Sequence, residues 1–238
     1  MQVTRLDIEG LMVLEPHVFA DERGAFFESF NLARFREATG IDVDFVQDNH
    51  SISHKNVLRG VHYQAAPHAQ GKLVRVVRGA AWDVAVDLRA GSPTCGKWAA
   101  VELTATNRKQ FWIPQGFAHG FLALEDGTEI LYKTTAYWHG ASERTIRWDD
   151  PAIGVIWPTS EAPVVSAKDA AAGVPLMSAF GLNKLNTARS LTRRQCVPSA
   201  NATVAPPISS DTKTRAPGTP AEGSADFKCD FNTSTRSG

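Results

Sequence analysis

Between Trp82 and Leu88 the chain alternates strictly. Trp82, Val84, Val86 and Leu88 are apolar, and Asp83, Ala85 and Asp87 stand between them. Successive side chains on a strand point to opposite faces, so a period of two predicts a half-buried strand at this point rather than a helix. The same character recurs. Val101-Glu102-Leu103, Phe111-Trp112-Ile113 and the run Thr128 to Thr135 are short apolar or β-branched stretches, separated by the turn signals Arg78-Gly79, Ala90-Gly91-Ser92-Pro93, Pro114-Gln115-Gly116 and Asp126-Gly127. Many short strands at this spacing, up to about residue 158, predict an all-β barrel or sandwich. One helix interrupts them over Leu32 to Thr39, with Asn31 as its N-cap and Gly40 at its C-terminal end. A second short helix is expected near Lys168 to Ala172.

The 238 residues suffice for one domain with a core, or for one domain and a tail. Beyond about residue 186, Ser, Thr, Pro, Ala, Asn and Gly dominate, as in Pro206-Pro207-Ile208-Ser209-Ser210. Such a stretch cannot bury enough apolar surface to offset roughly 1–2 kcal/mol of ordering entropy per residue. The expected division is therefore a domain over 1–185 and a disordered tail over 186–238. With 25 basic and 25 acidic residues the formal net charge is zero, which argues against general attraction to nucleic acid or to an anionic membrane. No apolar run approaches the roughly 20 residues of a spanning helix, and Met1 to Asp7 carries no signal-peptide core. The three cysteines, Cys95, Cys196 and Cys229, are odd in number and lack metal-ligand spacing, so reduced thiols and a cytoplasmic location are expected.

Three polar clusters could carry chemistry. Asp21-Glu22-Arg23-Gly24-Ala25-Phe26-Phe27-Glu28 reads either as a turn with solvated charges or as a ligand rim in which Arg23 forks onto a phosphate. The second runs from Gln47-Asp48-Asn49-His50 through Arg59, His62, Gln64 and Lys72, with His62 and Gln64 sharing a strand face. The third is Pro114-Gln115-Gly116-Phe117-Ala118-His119-Gly120-Phe121. Its Pro-x-Gly-x-x-His pattern resembles the second motif of the cupins, a superfamily of small β-barrels. A metal-binding cupin would offer His-x-His in its first motif, where this chain has His62-Tyr63-Gln64, and Lys72 nearby would repel a cation. No metal is expected.

Taken in order, these segments resemble one family. Asp-Glu-Arg-Gly-x-Phe-x-Glu at 21–28, Gln47-Asp48-Asn49-His50-Ser51, Leu58-Arg59-Gly60-Val61-His62-Tyr63-Gln64, Gly71-Lys72-Leu73-Val74-Arg75, Ile113 to Phe121, Tyr132-Lys133, Asp149-Asp150-Pro151 and Ser166-Ala167-Lys168-Asp169 match the dTDP-4-dehydrorhamnose 3,5-epimerases over about residues 1 to 183. The resemblance implies a cupin-like jelly-roll β-barrel with a few short helices, no cofactor, and a homodimer with exchanged N-terminal strands. It implies inversion of C3 and C5 of dTDP-4-dehydro-6-deoxy-D-glucose, in the biosynthesis of dTDP-L-rhamnose. It assigns His62 as base, Tyr132 as acid, Asp169 as the partner of His62, and Lys72 to the sugar carbonyl. Implied nucleotide-sugar contacts are Arg23, Phe26, Glu28, Gln47, Asp48, Asn49, Arg59, His119, Glu143 and Lys168, with Trp138 stacking on thymine.

The residue types suit that reaction. A C4 ketone acidifies the hydrogens on both neighbouring carbons, so a base on one side of the ring and an acid on the other suffice. Histidine titrates near working pH, a carboxylate orients it, and a lysine stabilises the enolate oxygen. Each position also has a plain structural reading: Tyr132 as core, Asp169 as a helix-start residue, Trp138 as packing, Lys72 and Glu143 as surface charges. A single-carbon epimerase or ketoisomerase on a related dTDP-4-keto sugar, and a sugar-binding domain without catalysis, are the competing functions.

Overall fold

The computed structural model describes residues 1–176 and 203–204. Its strands are β1 (Gln2–Arg5), β2 (Met12–Glu15), β3 (Val18–Asp21), β4 (Gly24–Phe27), β5 (Gln47–Ser53), β6 (Leu58–Gln64), β7 (Lys72–Arg78), β8 (Ala80–Asp87), β9 (Trp98–Thr104), β10 (Gln110–Ile113), β11 (Phe117–Ala123), β12 (Thr128–Thr134), β13 (Glu143–Thr145) and β14 (Thr203–Val204). The helices are α1 (Leu32–Thr39) and α2 (Ala167–Ala172). One six-stranded sheet runs β1-β2-β10-β7-β12-β5, and a second runs β13-β6-β11-β8-β9-β14. A separate hairpin pairs β3 with β4. Pairing between these strands is antiparallel except between β14 and β9. This is the cupin-like jelly-roll barrel expected from the sequence.

The core lies between the two sheets. Val74, Val76, Phe111 and Ile130 come from the first, and Ala81, Ala85, Leu103, Phe117 and Phe121 from the second. Helix α1 covers the outer face of the first sheet, burying Phe35 against Met12, Leu14, Leu73 and Trp112. It starts and stops where expected. The Asn31 side chain accepts from the Arg34 backbone N–H at 3.1 Å, and Gly40 ends the helix at φ 74°.

The alternation at Trp82–Leu88 is real, but the strand is not half-buried. Asp83 and Asp87 are as inaccessible as Val84 and Val86. β8 lies between β11 and β9, and its outer face is covered by Ile146, Ile153 and Leu176. The face bearing the aspartates turns into the barrel with Ala81 and Ala85. Cys95 is disulfide-bonded, which corrects the expectation of reduced thiols. The tail predicted for 186–238 lies outside the described residues, apart from Thr203–Val204 beside β9.

Candidate active site

β6 and β11 are neighbours in the second sheet, and their pairing sets His62 directly opposite His119. Two glycines allow it. A Cβ at Gly60, whose φ is 129°, would fall 2.6 Å from Gly120 Cα, and one at Gly120 would fall 2.9 Å from the Arg59 carbonyl oxygen. Any larger residue would force the strands apart at the point where the histidines are placed.

Each histidine has its own carboxylate. His62 Nε2 lies 2.5 Å from Asp169 Oδ1, and His119 Nε2 lies 3.0 Å from both oxygens of Asp83. A neutral imidazole beside a carboxylate carries its hydrogen on the nitrogen that faces it. Nδ1 of both rings is thereby left with a lone pair. Asp169 reaches His62 from α2, where Ser166 accepts from the Asp169 backbone N–H at 3.0 Å and anchors the helix start. The predicted pairing of Asp169 with His62 is thus present. Asp83, the partner of His119, was missed. Its signal was the aspartate inside an apolar alternation, which reads as a solvent face until the strand's position is known.

Both histidines line a cavity of about 460 Å³, together with Arg59, Lys72, Tyr132, Lys168 and Asp169. A smaller adjoining cavity of about 110 Å³ shares His62, Lys72 and Tyr132 and adds Gln47, Asn49, Gln64, Trp138 and Glu143. His62 comes from the second sheet, Tyr132 and Lys72 from the first. Burial pushes the Lys72 pKa down to about 8, against the attraction of Asp83 and Glu143. Burial, reinforced by the charge of Glu143, raises that of Tyr132, so its hydroxyl keeps its proton. Burial lowers that of His119, with Asp83 opposing and Lys72 assisting.

The rim is braced by hydrogen bonds. Lys168 Nζ donates to Glu143 Oε2 at 2.6 Å. Arg59 Nε donates to Ser53 Oγ at 3.1 Å. The Trp138 backbone N–H donates to Gln47 Oε1 at 2.9 Å, and Gln47 Nε2 donates to Asn49 Oδ1 at the same distance. Gln64, which shares a strand face with His62 in the sequence reading, is spent on the loop that bears Trp138. It donates to the carbonyls of His68 and Tyr137 and accepts from the His139 N–H. Among the described residues no three His, Cys, Asp or Glu side chains converge as a metal site.

Four predicted contacts are not brought to the cavity. Asp48 has the opposite strand parity to Gln47 and Asn49, and it pairs with Lys133 at 3.0 Å. Arg23 and Phe26 ride on the β3–β4 hairpin, where Arg23 is ion-paired to Asp21 and Phe26 is 72% exposed. Glu28 accepts from Asn31 Nδ2 at 3.1 Å.

A family profile for dTDP-4-dehydrorhamnose 3,5-epimerase matches residues 5–175. The chain is 56% identical over 172 residues to the dTDP-4-dehydrorhamnose 3,5-epimerase of Salmonella typhimurium, covering 72% of this chain and 94% of that one. It is similar to a crystal structure of dTDP-6-deoxy-D-glucose-3,5-epimerase from Legionella pneumophila in complex with dTDP-4-keto-L-rhamnose, with 48% identity, a TM-score of 0.71, and coverage of 74% of this chain and 92% of that chain. A 3'-monoepimerase from Streptomyces bikiniensis in complex with dTDP-quinovose is also similar, at 36% identity and a TM-score of 0.70, covering 76% and 91%.

Proposed function

The chain belongs to the dTDP-4-dehydrorhamnose 3,5-epimerase family, and from that premise we propose how its own residues carry the reaction. The enzyme is an isomerase that converts dTDP-4-dehydro-6-deoxy-D-glucose to dTDP-4-dehydro-L-rhamnose. His62 removes the proton next to the C4 ketone through the Nδ1 lone pair that Asp169 leaves open. The imidazolium that forms is stabilised by the same carboxylate. The electrons move onto the ketone oxygen, and the Lys72 ammonium meets the charge that develops there; one such donor contributes about 2.7–4 kcal/mol. Tyr132, held protonated by burial, returns a proton to the carbon from the opposite face. The observation that carries this reading is the placement of His62 on one sheet and Tyr132 on the other, both lining the cavity that Lys72 shares.

In this reading Arg59, Lys168 and His119, which line the larger cavity, hold the diphosphate and sugar, and Trp138, which lines the smaller one, stacks on the base. The exposed hairpin supports a homodimer in which Arg23 and Phe26 of one subunit close over the cavity of the other. Its aromatic rings Phe26 and Phe19 are 72% and 61% exposed. The cytoplasm is the assigned compartment, because an anionic nucleotide sugar does not cross a bilayer. No metal or cofactor is needed, since one base and one acid balance the protons of each inversion.

The deciding experiment follows the sugar protons by NMR during turnover of dTDP-4-keto-6-deoxyglucose in D₂O. Exchange at both C3 and C5 is expected. Exchange at one carbon would make the chain a monoepimerase, as the similar Streptomyces bikiniensis protein is named. Tyr132→Phe should lower turnover while nucleotide affinity stays within about twofold of the wild type; full activity would remove Tyr132 as the acid. A chelator should leave the rate unchanged.

A further inference from the structure

Asp83 has no part in the chemistry just described, yet it occupies an inhospitable position for a charge. It lies in the middle of β8, flanked by paired strands on both sides, and is wholly inaccessible. Strand parity sends it into the barrel beside Ala81 and Ala85. A carboxylate there costs several kcal/mol unless donors and cations meet it. Its hydrogen bonds among the described residues go to the ring of His119, at 3.0 Å from each oxygen. That ring supplies little charge, because burial keeps it from protonating.

The cation that feels the Asp83 charge is Lys72. It enters the same interior from the opposite sheet, on the face of β7 that carries Val74 and Val76. The groups that face it are Asp83 from β8, His119 from β11, His62 from β6, Tyr132 from β12 and Glu143 from β13. Arg59 on β6, with Lys168 and Asp169 on α2, lines the cavity beyond them. Of the anions, Asp169 is committed to His62 and Glu143 to Lys168. Among the described residues the one ion pair of Asp83 is with His119.

We propose that Asp83 is a positioning residue for the epimerisation: its carboxylate is the internal counter-ion that keeps the Lys72 ammonium charged where the enolate oxygen forms, while the same carboxylate orients His119. This rests on the reading of Lys72 as the enolate's partner. Burial alone drives a lysine towards neutrality, and a neutral amine offers a developing oxyanion much less. Asp83 exerts the largest of the attractions that oppose this in Lys72.

The test needs no substrate. The protein is labelled with ¹³Cε-lysine, the Lys72 signal is assigned by its loss in Lys72→Met, and its titration is followed by NMR. In the wild type the midpoint is expected at about 8. Asp83→Asn should lower it by about one pH unit or more, and the alkaline limb of kcat/KM should move by the same amount. Asp83→Glu keeps the charge and should keep the midpoint. His119→Gln removes the hydrogen bond but not the charge, and should not lower it. An Asn variant with an unmoved midpoint, or a Gln variant that shifts as far, overturns the proposal. If Asp83→Asn does not fold, the wild type decides, since a Lys72 already neutral at pH 7 is incompatible with a working counter-ion. A midpoint that moves while the kcat/KM limb stays supports the counter-ion and removes Lys72 from the chemistry.

Discussion

The two histidine–aspartate pairs sit side by side on adjacent strands, and they differ chiefly in what surrounds them. Both rings turn Nε2 to a carboxylate and leave Nδ1 open. The His62 side chain is 27% exposed and its aspartate arrives on a helix at the cavity rim. The His119 side chain is 7% exposed and its aspartate is fixed inside a central strand. A base must gain and lose a proton in every turnover, so it needs access to the reacting carbon and an environment that tolerates imidazolium. His119 lacks the second, because burial and Lys72 disfavour its charged form. The pairs teach that hydrogen-bond geometry alone does not make a base. In the proposed mechanism, solvation and neighbouring charge set the two apart, with His62 turning over protons and His119 holding the sugar.

The sharpest way to break this comparison is His62→Ala. It should abolish exchange at both sugar carbons, a loss on the order of 10²–10⁴ in rate; exchange surviving at either carbon would hand part of the chemistry to His119. Next comes Asp169→Asn, which leaves a donor where a carboxylate faced the ring and reverses the tautomer. A drop in kcat of roughly 10²-fold or more, with KM little changed, is expected from steady-state kinetics. His119→Ala should act in the other sense, raising KM about tenfold or more and lowering kcat less, because a binding group acts on ground and transition states alike.

Lys72→Met sharpens the contrast from the side of stability and has the smallest expected effect. The folded-state pKa of Lys72, about 8, is below its value of 10.5 in the unfolded chain. Below pH 8 both states hold the proton, and the folded protein carries the full cost of a buried cation. Between about 8 and 10.5 the unfolded state binds more proton, so wild-type stability rises with pH. Melting curves should therefore show Lys72→Met above the wild type by a few degrees at pH 7, with the gap closing as pH rises above 8. A gap independent of pH would mean that packing rather than charge explains it.

Much of this was legible in the chain. The strand runs and helix α1 with its Asn31 and Gly40 caps appear where the sequence patterns place them, and His62, Lys72, Tyr132 and Asp169 line one cavity, as the family resemblance implied. Two kinds of information were hidden. Alternation tells which residues share a face but not which face is the core, so Asp83 read as solvated until β8 proved central. Cysteine count and spacing carry no sign of the disulfide that Cys95 makes. Asp48 shows the converse, since a motif groups it with Gln47 and Asn49 whereas strand parity separates it from them.

The contact between Gly60 and Gly120 leaves the site unevenly open to change. On the first sheet, Asn49 and Tyr132 reach the cavity as side chains, and the pocket there could be recut for another sugar without moving the backbone. On the second sheet the spacing of the two histidines is set by main chain touching main chain. Even one added methyl group would wedge the strands and shift both rings together. New specificities in this scaffold would therefore be drafted on the side of Tyr132, with the side of His62 inherited unchanged.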